Sequence, residues 1–496
     1  MPSETPAGFE PRKRLHRLSW LFVSVDYLKH FLVPMLAAIF FGAQQDLGPW
    51  TLLLVLPLVA AALWHQWIYR YDFGPQGLVI REGLLFRNVR NIDYRRIENI
   101  DTERNLLHRL FDVAQVSVET SSGGGSEAVI RVLDLEAVRE MRNRIFAVRT
   151  SAAESPGETE VAEENTLLRL SPGELLRFGL IDNRGLIVVA AVFGLVAELG
   201  TEKLMETWAT PWLEILPVED FAAFGPMIQS FLVLSSIIGL IAGTRLLSVL
   251  LAFITLHDFR LSQSRDDLRV RYGLLTRISL TLRRQRIQAL HRKATLLHRW
   301  LGRESLTVDL AGGLRGGDAR QEDGSRSVRK PWLAPVCTPE KGEELVHVAL
   351  PQVRLDEADW QRLAPGARAR LFRISSFLWL LFSIPAIIML AGPLASFCTL
   401  LVLPFLWMHA HLYVKYTRWA LHDDFLAVRR GWFTQRLSVT PRNRIQSVCV
   451  SESPFDRRHG MAGLAVDTAG ASGLNLRIPY LERDTALELA SALRSQ

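Results

Sequence analysis

The chain has 496 residues, 49% of them hydrophobic and 22% charged, with a net charge of +7. That length exceeds one compact domain, the apolar fraction excludes a disordered chain, and the mild charge suits an anionic membrane surface better than a nucleic-acid partner. Mean hydropathy is +0.13, which fits membrane spans mixed with polar domains.

In chain order, the basic residues Arg12, Lys13, Arg14 and Arg17 come first. Residues 15–30 then enter through the headgroup layer, 31–42 are apolar, and 50–69 form a full span with Trp near both ends as interfacial anchors. Residues 15–70 are therefore read as a transmembrane hairpin and 71–147 as a first polar module, followed by an acidic linker over 148–168. A second hairpin occupies 169–255, with spans at 185–200 and 226–255, and a second module occupies 256–353 with an inserted loop at 314–336. The third hairpin, 362–415, has spans at 377–391 and 397–414 joined by a tight loop around Pro393, and the third module is 416–496. Six spans in three hairpins result. Between spans three and four lie Glu202, Glu206, Glu214, Glu219 and Asp220 against Lys203 alone, which suits the outer side. Both termini and all three modules are then expected in the cytoplasm. A cleaved signal peptide is disfavoured, because the start has no small-residue cleavage site and the later hairpins would remain unexplained.

The polar modules repeat. Leu78-Val-Ile80-Arg81-Glu-Gly83, Leu268-Arg-Val270-Arg271-Tyr-Gly273 and Leu426-Ala-Val428-Arg429-Arg-Gly431 follow the three hairpins. Thirteen residues past each glycine stand Arg96, Arg286 and Arg444, each before an Ile; twenty-six past it stand Arg109, Arg299 and Arg457. Thirty-six past it stand Glu119, Asp309 and Asp467. The Leu-x-[Ile/Val] alternation predicts a half-buried strand, and the glycine marks a bend or bulge. Return strands are predicted at 128–133 and 474–478 in the first and third copies, and an amphipathic helix closes each copy at 135–146, 339–350 and 482–493. Several strands and one closing helix describe a small barrel or sandwich plugged by that helix. Arg169-Leu-Ser-Pro172-Gly173 and Arg362-Leu-Ala-Pro365-Gly366 also match, each opening a helix that runs into lipid with Pro near its start.

Hairpin, Leu-x-[Ile/Val]-Arg-x-Gly, then Arg-Ile: this arrangement resembles the bacterial pleckstrin-homology (bPH2, DUF304, "membrane-flanked") domain family, and three copies on six spans resemble its YdbT-type members. The resemblance covers nearly the whole chain. It implies a membrane protein of the α+β class: three transmembrane helical hairpins (six helices), each followed by a small PH-like β-barrel or sandwich capped by a C-terminal helix. It further implies the bacterial inner membrane, a smaller YdbS-type membrane protein as partner, and a role in envelope stress or peptide-toxin resistance. The phosphoinositide role of eukaryotic PH domains does not carry over, since no matching basic loop is present.

No catalytic constellation is evident. The sequence has no Gly-x-x-x-x-Gly-Lys-[Ser/Thr] loop, no His-Glu-x-x-His and no Gly-x-Ser-x-Gly elbow. The run at 121–126, Ser-Ser-Gly-Gly-Gly-Ser, lies between two strands and reads as a hairpin tip. His409 and His411 fall on diverging faces of a predicted helix and suit an interfacial role. His108 and His298 share an offset that the third copy breaks, so a common catalytic role fails. Cys337, Cys398 and Cys449 are too few and too scattered for a disulfide framework or a zinc site; no metal and no cofactor is expected. The repeated arginines are the candidate site. Arg81, Arg271 and Arg429 sit on the polar phase of a strand, facing solvent or lipid. Arg96, Arg286, Arg444, Arg109, Arg299 and Arg457 either face anionic headgroups or brace the fold against Glu119, Asp309 and Asp467. Arg245, inside an apolar stretch, is expected to end its span and snorkel to the headgroups. The expected function is a non-enzymatic scaffold presenting three cytoplasmic modules to a partner membrane protein or to anionic lipid; the alternative is a transporter component or export accessory using the six helices.

Overall fold

The computed structural model describes residues 13–14, 19, 64, 68–74, 76–82, 88–120, 126–152, 165–198, 225–264, 267–311, 331–391, 399–470 and 476–494. Module 1 is built from β1 (Lys13–Arg14), β2 (Arg70–Phe73), β3 (Gly77–Glu82) and β4 (Asn88–Asp93), then β5 (Ile97–Arg104), α1 (Leu106–Leu110), β6 (Val113–Thr120), β7 (Ser126–Asp134) and the closing helix α2 (Leu135–Ala152). Module 2 opens with β8 (Asn165–Arg169), gives out the helices α3 (Pro172–Ile181), α4 (Arg184–Glu198) and α5 (Pro226–Leu256), and resumes as β9 (Arg260–Ser264), β10 (Asp267–Tyr272) and β11 (Arg277–Arg283). It ends with β12 (Ile287–Ala294), α6 (Leu296–Trp300), β13 (Glu304–Leu310), β14 (Trp332–Cys337) and α7 (Pro339–Ala349). Module 3 repeats this order: β15 (Gln361–Arg362), α8 (Ala367–Ala391), α9 (Leu403–Tyr416), β16 (Arg418–Leu421), β17 (Phe425–Arg430) and β18 (Gln435–Pro441), then β19 (Ile445–Ser451), α10 (Pro454–Arg457), β20 (Met461–Thr468), β21 (Leu476–Glu482) and α11 (Arg483–Arg494).

Each module thus has seven strands and a closing helix, but its hairpin does not precede it as the sequence suggests. The hairpin leaves from between the module's first and second strands, which pair antiparallel in all three copies. Neighbouring strands lie roughly 4.8 Å apart, so the two chain ends entering and leaving the membrane region are held side by side. The strand β8 occupies the end of the stretch expected to be linker, and α2 runs past its expected end to Ala152. The middle copy also has a return strand, β14, where the sequence suggests only an inserted loop. Its Trp-Leu-Ala-Pro-Val-Cys lacks alternation and carries Pro335, which is tolerated because β14 is the edge of its sheet.

The sheets do not respect the module boundaries. Strand β5 of module 1 pairs with β11 of module 2, and β12 of module 2 pairs with β18 of module 3. Two continuous seven-stranded sheets result, flanked by a four-stranded sheet (β1 to β4) at one end and a three-stranded sheet (β19 to β21) at the other. Packing follows the pairing. Phe425, Ala427, Leu437 and Val439 of module 3 join the same core as Leu290, Leu345 and Val346 of module 2. Leu426 and Val428, on the other face of β17, enter module 3's own core. Burial on both faces explains why Phe425-Leu-Ala-Val428 is an unbroken apolar run.

Among the described residues two helices are long and apolar enough to cross a membrane, Pro226–Leu256 and Ala367–Met389; Arg184–Gly194 is apolar but shorter. Their large side chains are exposed, Met227, Phe231, Phe382 and Met389 among them, as in a helix that faces hydrocarbon all round. The expected first span, most of the second and the loop around Pro393 lie outside the described residues, as do 121–125 and 312–330. In the second hairpin α3, α4 and α5 pack through small residues. A Cβ on Gly179 would overlap the backbone of Val249, and one on Gly185 would overlap the Thr244 carbonyl. Arg245 donates to the carbonyls of Leu180 (3.1 Å) and Asp182 (3.2 Å) and to Asn183 Oδ1 (2.8 Å). It thereby caps the C-terminal end of α3, while α5 itself continues past Arg245 to Leu256.

Candidate functional site

The registers of the first sheets bring arginines into rows. In module 1, Arg14 pairs with Arg70 and Arg70 with Arg81. In module 2, Arg169 pairs with Arg260 and Arg260 with Arg271. In module 3, Arg362 pairs with Arg418 and Arg418 with Arg429. Three strands and three arginines therefore stand abreast in every copy. Residues directly opposite share a face, with Cβ atoms about 5 Å apart. In modules 2 and 3 that face is the outer one, since Leu261 and Val270, or Trp419 and Val428, alternate with the arginines into the cores.

Position along the strands decides where the rows lie. Arg169 immediately precedes the Leu170-Ser171-Pro172 entry into α3, whose first turn is capped by Ser171 Oγ accepting from the Glu174 amide. Arg260 follows the end of α5 at Leu256, and Arg418 follows the end of α9 at Tyr416. In modules 2 and 3 the row therefore sits where the chain leaves for the apolar helices and returns from them.

Like charges in direct opposition repel, so such a row needs a counter-charge. Module 2 supplies one carboxylate. Asp258, in the left-handed region at φ 49°, places Oδ1 2.9 Å from Arg260 Nε and 3.6 Å from Arg169 Nη2. Burial works to raise its carboxyl pKa, but the hydrogen bond from Arg260 and the neighbouring arginine charges outweigh this and hold it below the usual range. In module 3, Arg429 stacks over Trp360, 5.4 Å from the ring centroid. Arg362 and Arg418 make no ion pair among the described residues. Arg362 and Arg418 thus leave the module 3 row cationic, and guanidinium groups match phosphate oxygens in geometry as well as charge.

Of the arginines expected from sequence, Arg81, Arg271 and Arg429 are the inner members of these rows. Their neighbours Arg14, Arg169 and Arg362 read in sequence only as a basic start or the opening of an entry motif, and Arg70, Arg260 and Arg418 fall ahead of the Leu-x-[Ile/Val]-Arg-x-Gly motif. The signal was an Arg immediately before each hairpin (Arg14, Arg169, Arg362) and another just after it (Arg70, Arg260, Arg418). The offset-twenty-six arginines do something else. Arg109 donates to the carbonyl of Leu274, 3.2 Å away, and Arg299 to that of Trp432, 2.9 Å away. Those carbonyls directly follow the repeat glycines Gly273 and Gly431, whose positive φ (111° and 85°) shapes the turn. Each arginine thus clasps the next module. Arg457, the third copy's equivalent, is exposed. Gly83, the first repeat glycine, lies outside the described residues.

The offset-thirteen arginines divide. Arg286 donates to the carbonyl of Ala311; Arg96 is exposed and Arg444 half-buried. The Asp309 carboxylate lies 3.0 Å from His291 Nε2, while His291 Nδ1 lies 2.8 Å from Ser438 Oγ of module 3. This Ser–His–Asp sequence has the composition of a nucleophilic triad, but Ser438 faces His291 from the middle of a paired strand and not from a sharp turn. Its geometry ties three strands together, β13, β12 and β18. Asp467 accepts from the Thr468 amide, and the side chain of Glu119 lies outside the described residues. His409 accepts from Trp432 Nε1 at 3.0 Å and His411 stacks on Trp407, as interfacial residues would. His108 and His298 are both buried. Among the described residues no group of His, Cys, Asp or Glu could hold a metal ion.

Three stretches of the chain, 22–149, 212–334 and 374–496, match the family described as Bacterial PH domain. The chain belongs to that family. A relative from Bacillus subtilis (strain 168), UPF0699 transmembrane protein YdbT, is 23% identical over 433 residues, 84% of this chain and 83% of the relative. The family membership and that relative agree with a threefold PH-like repeat in a membrane protein, of mixed helix and sheet.

Proposed function

We propose that the protein is a non-enzymatic scaffold of the bacterial inner membrane, crossing it six times and laying three cytoplasmic PH-like modules against the anionic inner leaflet. The observation that carries this reading is the row of three arginines that strand register sets abreast in every module, beside the points where modules 2 and 3 send out and take back their apolar helices. Each arginine near such a surface contributes roughly 1 kcal/mol, and three in register on one sheet form a phosphate-sized cationic strip. The hairpin sets the height of that strip relative to the headgroups. A smaller PH-like membrane protein of the YdbS type remains the proposed protein partner, with envelope stress as the setting.

The test uses the full chain in neutral detergent. Short-chain phosphatidylglycerol should raise its melting temperature more than phosphatidylcholine does, because a ligand that binds only the folded state stabilises it. The combined Arg81→Gln, Arg271→Gln and Arg429→Gln variant should lose that difference. Equal stabilisation by both lipids, or a difference unaffected by the substitutions, would remove the lipid reading.

A further inference from the structure

The array of modules has two unlike ends. Among the described residues, the four-stranded sheet ends at β4 on one side and the three-stranded sheet ends at β19 on the other. The two internal junctions show what each kind of end accepts. The strand equivalent to β19 is β5 in module 1 and β12 in module 2, and these pair with β11 and β18, the equivalents of β4. The register is the same both times. Nineteen residues past one repeat glycine faces six past the next: Thr102 faces Ser279, and Arg292 faces Leu437.

From these features we infer that β19 docks the β4 edge of a second copy of this chain, head to tail, in the register of the internal junctions. Three independent features of the free end support this. First, β19 reads Ile-Gln-Ser-Val-Cys-Val-Ser, without charge or proline. Exposed edges are normally protected by lysine, proline or a bulge; β19 has neither lysine nor proline, and its bulge between Ile445 and Ser447 recurs in β5 and β12, which pair with the next module all the same, so the edge is a template for another strand. Second, a groove of about 600 Å3 runs beside it, lined by Val448, Cys449 and Val450 of the strand and by Leu487, Ala490 and Arg494 of α11. Third, Arg457 is the equivalent of Arg109 and Arg299, which clasp the following module at both internal junctions.

The complementary edge is present in the same chain. In the shared register Val450 would face Val89, which is 48% exposed, and Cys449 would face Arg90. The equivalent internal pair, His291 and Ser438, has its side chains in contact at 2.8 Å. Because the two ends differ, the contact is heterologous, and repetition gives a ring or an open filament in the membrane plane.

Cysteine chemistry tests this directly. Directly opposite residues of antiparallel strands have Cα atoms roughly 4.5–5.5 Å apart, inside the range a disulfide spans. In full-length protein carrying Cys398→Ser, the added substitution Arg90→Cys should yield oxidised dimers and higher multimers through the native Cys449. Adding Cys449→Ser should abolish them, and Asn91→Cys, on the opposite face, should give at least several-fold less product. Independently, Cys449→Lys in an otherwise native chain, a charge on the bare edge, should reduce the particle mass in detergent to that of one chain. Cross-linking of R90C no greater than of the parent, equal cross-linking of N91C, capture only of a different protein, or a single-chain mass for the parent would each overturn the inference.

Discussion

His298 shows how a repeated polar residue can be wholly structural. It occupies the third position of α6, where Thr295 caps its backbone amide and its ring answers in a capping box, Nδ1 lying 2.8 Å from Thr295 Oγ1. Nε2 is 3.1 Å from Ser305 Oγ. Burial, helped by the charge of Lys293, depresses its pKa from 6.5 to about 4. The folded state therefore binds fewer protons than the unfolded state between these values. Stability from this site is full above pH 6.5 and lost as pH falls toward 4, by up to roughly 3 kcal/mol. Comparing the thermal stability of the full chain with that of His298→Gln across this window should show a flatter acid limb for the variant. A parallel limb would mean that the imidazole is not desolvated. Glu304 is a second residue-scale case. Its carboxyl is 7% exposed, pushed upward by burial and only partly relieved by Arg292 at 2.9 Å. A Cβ on Gly342 would overlap Glu304 Oε1. Gly342→Ala should therefore destabilise by about 1–3 kcal/mol despite the better helix propensity of alanine, measured by denaturant unfolding; a gain in stability would show that Glu304 can move aside. The equivalents of Glu304 in the other copies are Ala114 and Ala462, so this strain belongs to module 2 alone.

At the scale of elements, the entry helices α3 and α8 couple the hairpins to the modules. Arg303 of module 2 grips Glu174 of α3 with two hydrogen bonds of 2.9 and 2.8 Å, and Phe178 meets Trp332 edge to face at 6.0 Å. In module 3 the polarity is reversed, with Arg370 of α8 on Asp456 of α10 at 2.8 Å. These pairs are shielded, so removing one partner leaves a charge without its counterpart and costs more than a surface pair would. Small residues do the corresponding work inside the second hairpin. Gly185→Val should separate α4 from α5, because the Thr244 carbonyl and the Ser248 side chain occupy that space and the Gly185 amide donates to Ser248 Oγ at 2.9 Å. Faster proteolysis at 199–224 in membranes would report this; unchanged cleavage would count against close packing there. The amphipathic closing helices and the strand alternation were legible in the sequence, because each is a local period. The return strand β14 was not, since an edge strand holding Pro335 carries no period at all.

At the scale of the whole molecule, the shared sheets make neighbouring modules interdependent. Module 3 supplies β18 to the sheet of module 2 and four side chains to its core. Truncation after residue 360 should therefore destabilise module 2, read as loss of amide protection in β12 and β13 by hydrogen exchange. Retained protection there would show that the modules fold alone. Reporter tags inserted within 153–164, within 315–328 and after 496 should all be cytosolic, since every hairpin returns the chain to the side it left; one periplasmic tag would refute the six-span arrangement.

The sequence by itself determined the threefold repeat, the family, the membrane character and the composition of each module, because these rest on offsets and hydropathy that short segments display. It placed Arg81, Arg271 and Arg429 on the polar phase of a strand for the same reason. Only the tertiary structure decided that a strand from before each hairpin segment aligns its arginine with two from after it, that Arg109 and Arg299 reach the following module, and that the helices of modules 2 and 3 spring from inside their modules. Such pairings join residues tens to hundreds of positions apart, and their register is set by packing between sheets, a quantity no single segment of the chain contains.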